Sequence, residues 1–154
     1  MIPDYETMLA ELQEEIGRGN AERGFHDEGA TLRTKALSPL DWEDAKAPLS
    51  NYYITKLALI VTEAGEAIEE LRNGRLADET YYSGGVGEEE LHPSQPIDLD
   101  GSHRKPEGVP SELADIVIRC FDFASEAGID LGAIIVEKLE YNATRGRMHG
   151  GKKV

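Results

Sequence analysis

Two short segments carry acidic residues at a spacing suited to chemistry. Glu63-Ala-Gly-Glu66 and Glu112-Leu-Ala-Asp115 each separate two carboxylates by three residues, which places both on one face of a helix. At about 100° per residue, Glu63 and Glu66 lie ~60° apart, and Leu59 and Ile60 one turn earlier flank Glu63. Glu112 shares its arc with Ile116 and Phe123, both within ~40° of it. Acids projected among apolar side chains repel one another strongly unless they are protonated or met by a cation. Mg²⁺, with Mn²⁺ as a substitute, suits such a site, because hard divalent ions take carboxylate oxygens and water and complete their shell with substrate phosphates. Zinc does not fit. His26, His92, His103 and His149 are scattered, and Cys120 is the single cysteine. The same three-residue spacing recurs at Glu11/Glu14 and Glu66/Glu69, and a solvated helix face is the usual explanation of either pair alone in a chain with 30 acidic residues; it is the two pairs together that point to a site.

A third group has the opposite charge. Residues 138–154 hold Lys138, Arg145, Arg147, Lys152 and Lys153 against Glu140 alone, a local net of +4 on a chain whose formal charge is −14. Lys138, Asn142 and Arg145 fall at i, i+4 and i+7, one face of a helix on which a cation and an amide bind phosphate oxygens. Alternatively, basic residues there complement the dipole of a helix C-terminus.

The elements that would position these groups are helices. Met8, Leu9, Leu12 and Ile16 recur at helical spacing, predicting a first helix from Asp4 to about Arg18. Residues 19–49 lose that period, with three glycines, two prolines, Phe25 and Trp42, and read as a long connection with room for a short helix. Ser50 or Asn51 caps a second helix whose stripe is Ile54, Leu57, Ala58, Val61, Ala64, Ile68 and Leu71, stopped by Asn73-Gly74. Pro110 opens a third, with Leu113, Ile116, Val117, Cys120, Phe121 and Ala124 inward, to Gly128. A fourth starts at Asp130 and ends at Gly146. Residues 77–110, with four prolines, five glycines and eight acids against two bases, form an insertion that is either a functional lid or a solvated excursion. The expected architecture is one all-α domain over 1–154, a four-helix bundle with a long loop-rich insertion and a basic tail over 146–154.

Composition removes other classes. The excess of acid repels nucleic-acid polymers. The longest apolar run, Leu57 to Val61, is far short of the ~20 residues of a membrane span, and the N-terminus has no basic-then-apolar signal pattern. With one cysteine, a soluble cytoplasmic protein is expected.

Taken together, Thr62-Glu-Ala-Gly-Glu66, Ser111-Glu-Leu-Ala-Asp115-Ile-Val and Lys138-Leu-Glu-Tyr-Asn142-Ala-Thr-Arg145 resemble the E-x-x-E, E-x-x-D and K-x-x-x-N-x-x-R elements of the MazG-like all-α nucleoside triphosphate pyrophosphohydrolases. Ala21-Glu-Arg-Gly-Phe25-His and His149-Gly-Gly-Lys-Lys are also similar to short members, phage-encoded ones included. The likeness covers most of 20–75 and 110–153 and leaves the insertion outside. It is the order and spacing of the motifs together, not any single one, that is specific. The resemblance implies hydrolysis of a (d)NTP between the α and β phosphates, with Glu63, Glu66, Glu112 and Asp115 holding Mg²⁺. It implies that one of the glutamates, Glu63 or Glu66, activates the water, that Lys138, Asn142 and Arg145 hold the phosphate chain, and that the chain forms a dimer or tetramer. Phe25 stands where relatives place an aromatic against the base, or else caps the core; His26 and Trp42 are weaker base-pocket candidates or structural. Thr62 departs from relatives with another acid there, which leaves open the number of ions and the identity of the base. Two other functions stay open: phosphoribosyl-ATP pyrophosphohydrolysis, and non-catalytic binding of a basic partner by an acidic helical protein.

Overall fold

A computed structural model of the chain describes residues 5–38, 41–83 and 94–145. The 146–154 tail, with Arg147, Lys152 and Lys153, and the expected stop at Gly146 lie outside the described residues. In chain order the elements are α1 (Tyr5–Glu22), α2 (Asp27–Ala36), α3 (Trp42–Arg72), β1 (Tyr81–Ser83), β2 (Lys105–Glu107), α4 (Val109–Ala127) and α5 (Leu131–Ala143). The all-α class is as expected. The expected count of four is corrected to five among the described residues, because α2 occupies the connection between the first two expected helices. It has no apolar stripe to announce it and is fixed from outside. The Arg33 guanidinium donates to the Glu126 carbonyl, and Gly29 is buried.

Other boundaries move for local reasons. α3 starts at Trp42, not at Ser50 or Asn51, and carries Pro48 inside it. Ala45, buried at 4% exposure, anchors the turn before that proline, and its amide donates to the Asp41 carbonyl at 2.9 Å. The Asn73-Gly74 stop is as expected: Gly74 takes φ 87°, and the amides of Gly74 and Arg75 close back on Leu71 and Glu70. Asp130 caps α5 by accepting from the Ala133 amide at 3.0 Å.

The chain divides into two compact units, Met1–Tyr52 with Phe121–Val154, and Tyr53–Cys120. In the first, α1 packs on α5 where Gly132 lets backbones approach, since a Cβ there would stand 3.2 Å from the Glu6 carbonyl oxygen. Gln13 clasps the turn into α5, donating to the Ile129 carbonyl at 2.7 Å and accepting from the Leu131 amide at 3.2 Å. Phe121 and Ala124 are its most buried apolar residues.

The second unit holds α3 from Tyr53 on, the insertion and the first part of α4. Among the described residues of the insertion, two short strands form. β1 and β2 pair antiparallel, with Tyr81 opposite Glu107 and Ser83 opposite Lys105. Three-residue strands are too short to show a period of two in sequence. The buried Arg104 side chain donates to the carbonyls of Tyr82 (2.8 Å) and Gln95 (3.1 Å), and the Tyr81 hydroxyl donates to Glu70 on α3 at 3.2 Å.

The apolar stripes are the largest departure from expectation. Val61 is 71% exposed, Ile54 and Ile68 are 59%, and Leu57, Leu71, Leu113 and Val117 are also exposed in the single chain. These residues form the helical faces that periodicity identified, but those faces are not interior ones here.

Gly29 supplies a test of the first unit. A Cβ there would overlap Glu126 Oε1 and come within 2.7 Å of the Tyr52 ring, so Gly29→Ala lowers stability by about 1–3 kcal/mol. An unchanged urea midpoint would show that α2 is not seated this way.

Candidate metal centre

Three of the four expected carboxylates converge. Glu63 on α3 and Glu112 and Asp115 on α4 each offer an oxygen, all within 4.8 Å of one another. Glu63 and Glu112 are buried, at 5% and 6% exposure. Helical spacing explains the pairing of Glu112 with Asp115. Glu112 is placed in the first turn of α4 by Gly108, whose carbonyl accepts the Glu112 amide at 3.2 Å and whose φ of 96° suits a residue without a Cβ. Glu66, the fourth expected ligand, is exposed and outside the trio, though close enough for its charge to act on Glu112.

The electrostatics are those of crowded like charges. The Glu112 carboxyl is raised above the usual carboxylate range, first by burial, then by a hydrogen bond with Glu63 and by the charges of Glu66, Glu63 and Asp115. Among the described residues a cation stands directly on Glu63. Arg119 places Nε and Nη2 each 2.5 Å from Glu63 Oε1. Lys105, from β2, pairs with Glu107 at 2.8 Å and is raised by that bond and, more weakly, by Glu112 and Glu66. Sequence reasoning missed both cations. Arg119 was within reach of it, as the residue four after Asp115 and seven after Glu112 on the same face. Lys105 had no signal, since it reaches the acids through strand pairing.

The donor set fits a hard divalent ion: it is all carboxylate oxygen, and no histidine nitrogen or cysteine sulfur belongs to the trio. Three negative charges against one guanidinium also leave room for further positive charge.

The remaining expected residues lie in the first unit. Lys138 and Asn142 are exposed on α5 and Arg145 is exposed just beyond it. Lys138 Nζ and the Arg145 guanidinium stand 5.5 and 5.9 Å from the Tyr141 ring centroid, so these two cations gather about one ring. Phe25 is 60% exposed. His26 precedes α2, with Nε2 2.6 Å from Asp122 Oδ1, and Asn20 donates to the same oxygen at 2.8 Å. That tie is a structural role for His26. Nearby, the Tyr52 hydroxyl donates to Glu126 at 2.7 Å, and burial together with Glu126 pushes the phenol well above its ordinary range. Trp42 opens α3 with Lys46 Nζ 5.5 Å from its ring centroid. Asp122 and Glu126 continue the three-and-four spacing of Glu112, Asp115 and Arg119 along α4, a signal that was legible and not used.

Compared with protein-family models, with curated proteins and with solved structures, the chain matches none. No described helix is long and apolar enough to cross a membrane.

Glu112 gives the centre a pH signature. A carboxyl whose folded value is raised contributes stability that is present below the unfolded value and lost as pH rises through the folded one. In EDTA, Glu112→Gln therefore melts higher than wild type at alkaline pH, and the difference shrinks toward zero below the ordinary carboxylate range. A difference that does not vary with pH would mean that Glu112 is not crowded by acids.

Proposed function

We propose that the chain is a Mg²⁺-dependent nucleoside triphosphate pyrophosphohydrolase of the MazG-like kind. It hydrolyses a ribo- or deoxyribonucleoside triphosphate to the monophosphate and pyrophosphate, in nucleotide-pool control or housecleaning. The observation that carries the reading is the convergence of Glu63 and Glu112, both buried, with the half-buried Asp115, drawn from two motifs whose order and spacing resemble that family. A charge-mimicking binder gains nothing from burying carboxylates, since a mimic displays them, whereas carboxylates that are buried are met by a partner charge or a coordinated metal.

When bound, the metal offsets charge on the phosphates and polarises them. The rest falls to the protein's own groups. Glu63, Glu112 and Asp115 hold the ion, joined by Glu66 on the exposed side. A glutamate, Glu63 or Glu66, orients water and accepts its proton. The water oxygen joins phosphorus at the α–β bridge, the bridging bond breaks, and the bridging oxygen leaves with one product. Lys138, Asn142 and Arg145 hold the phosphate chain with charge-assisted hydrogen bonds, and Phe25 offers an exposed ring to the base, beside His26.

The chain also works as a homo-oligomer, a dimer or tetramer. Its support is the exposed stripe of Ile54, Leu57, Val61 and Ile68 on α3. A second copy is the simplest cover for it, because a two-fold axis pairs one patch with itself.

Purified protein should release pyrophosphate from members of a (d)NTP panel with Mg²⁺ or Mn²⁺ and not in EDTA. Glu63→Ala and Glu112→Ala should each lose at least about 100-fold while staying folded, as expected for removal of a metal ligand. Turnover of phosphoribosyl-ATP alone would redirect the substrate, and full activity in both variants would sink the assignment. Light scattering after sizing should give a dimer or tetramer at micromolar concentration, and Val61→Glu should shift it toward monomer. A wild-type monomer would dismiss the oligomer.

A further inference from the structure

We infer that Arg119 is an internal counter-ion that competes with the divalent cation for Glu63 and so holds down the chain's affinity for free metal. The inference rests on reading the trio as a metal centre, and deepens it by naming what regulates its occupancy.

The geometry is specific. Arg119 Nε and Nη2 converge on one oxygen, Glu63 Oε1, each at 2.5 Å. Nε donates a hydrogen bond to that oxygen, and Nη2 stands beside it as a second point of positive charge. The oxygen is thus satisfied by the guanidinium before any ion arrives. Entry of a metal at that oxygen is an exchange and not a simple addition.

Burial decides which partner moves. The Glu63 side chain is 7% exposed and that of Arg119 is 39%. Glu63 stripped of a cation would be a buried charge, which is costly. Arg119 already reaches water and swings out on a flexible stem at little cost. Its charge persists at every working pH, so displacement by another cation is the route by which it yields. The acids around it favour such an exchange. Glu112 and Asp115 stand seven and four residues before it on α4, and Glu66 acts on Glu112; an ion of charge +2 offsets this group better than a guanidinium of +1. A resting centre of this kind fills when a phosphate-bearing substrate brings its own metal, and the freed planar fork matches a phosphate.

The test is a Mn²⁺ titration followed by electron paramagnetic resonance of the free ion, with no nucleotide present. Arg119→Met and Arg119→Gln should bind Mn²⁺ at least about fivefold tighter than wild type, the lower end of typical coupling between two binding events. Arg119→Lys should fall between, because an ammonium keeps the charge and loses the fork. A merely structural arginine would leave affinity unchanged or weaken it, and either result in a variant with wild-type circular dichroism overturns the proposal. If the neutral variants do not fold, Arg119→Lys carries the test, with affinity no higher than wild type as the overturning result. Glu112→Gln separates the two layers. Wild type that binds no more tightly than Glu112→Gln overturns the metal reading and this one with it. Wild type that binds more tightly than Glu112→Gln but equals Arg119→Gln overturns only the role of Arg119.

Discussion

Mutual repulsion among Glu63, Glu112 and Asp115 is the constraint around which the second unit is organised. Carboxylates whose oxygens lie within 4.8 Å would separate into water if their helices were free to turn. Here the backbone withholds that freedom. Glu63 lies within α3, and Glu112 and Asp115 lie in the first two turns of α4, so helical backbone holds all three Cα positions. The charge is met in part by the Arg119 guanidinium and, more remotely, by Lys105, and the crowding raises the Glu112 carboxyl above its ordinary value. Each cation is a partial remedy, and each is a group that a stronger cation could replace.

The first unit buries acids as well, and handles them differently. Asp122 is met by Asn20 and His26 through one oxygen, and Glu126 by the Tyr52 hydroxyl. Each of these acids accepts a hydrogen bond from a donor on another segment of the chain. In the trio, acids face acids. The contrast within one helix, α4, separates carboxylates that fasten the fold from those with capacity for a ligand.

Much of this was legible in sequence, where a periodic signal existed. The stripe from Ile54 to Leu71, the stop at Gly74, the cap at Asp130 and both carboxylate pairs are local patterns, and local patterns set helices. Three things were not legible. α2 lacks a stripe, because Gly29 and Arg33 fix it through contacts with α3 and α4 residues distant in sequence. The insertion appeared featureless because β1 and β2 are three residues each and Arg104 ties them through backbone carbonyls. Periodicity finds an apolar face but cannot say what covers it, so Val61 and Ile68 read as interior and are open in the single chain. For the site, Glu66 shows the limit of spacing. It shares an arc with Glu63, yet ~60° of rotation is enough to leave it exposed while Glu63 is buried.

The Gln13 clasp also bears on the order in which the chain can assemble. Its partners, Ile129 and Leu131, lie 116 and 118 residues away, so the first unit draws together segments that are distant in sequence. The second unit is one continuous stretch, Tyr53–Cys120. During synthesis that stretch has all its own residues while α5 is still unmade. Contacts between distant segments must also bear the entropy of closing a long loop. The acidic trio thus belongs to the part of the chain able to fold early, whereas Lys138, Asn142 and Arg145 wait for α5 to be translated.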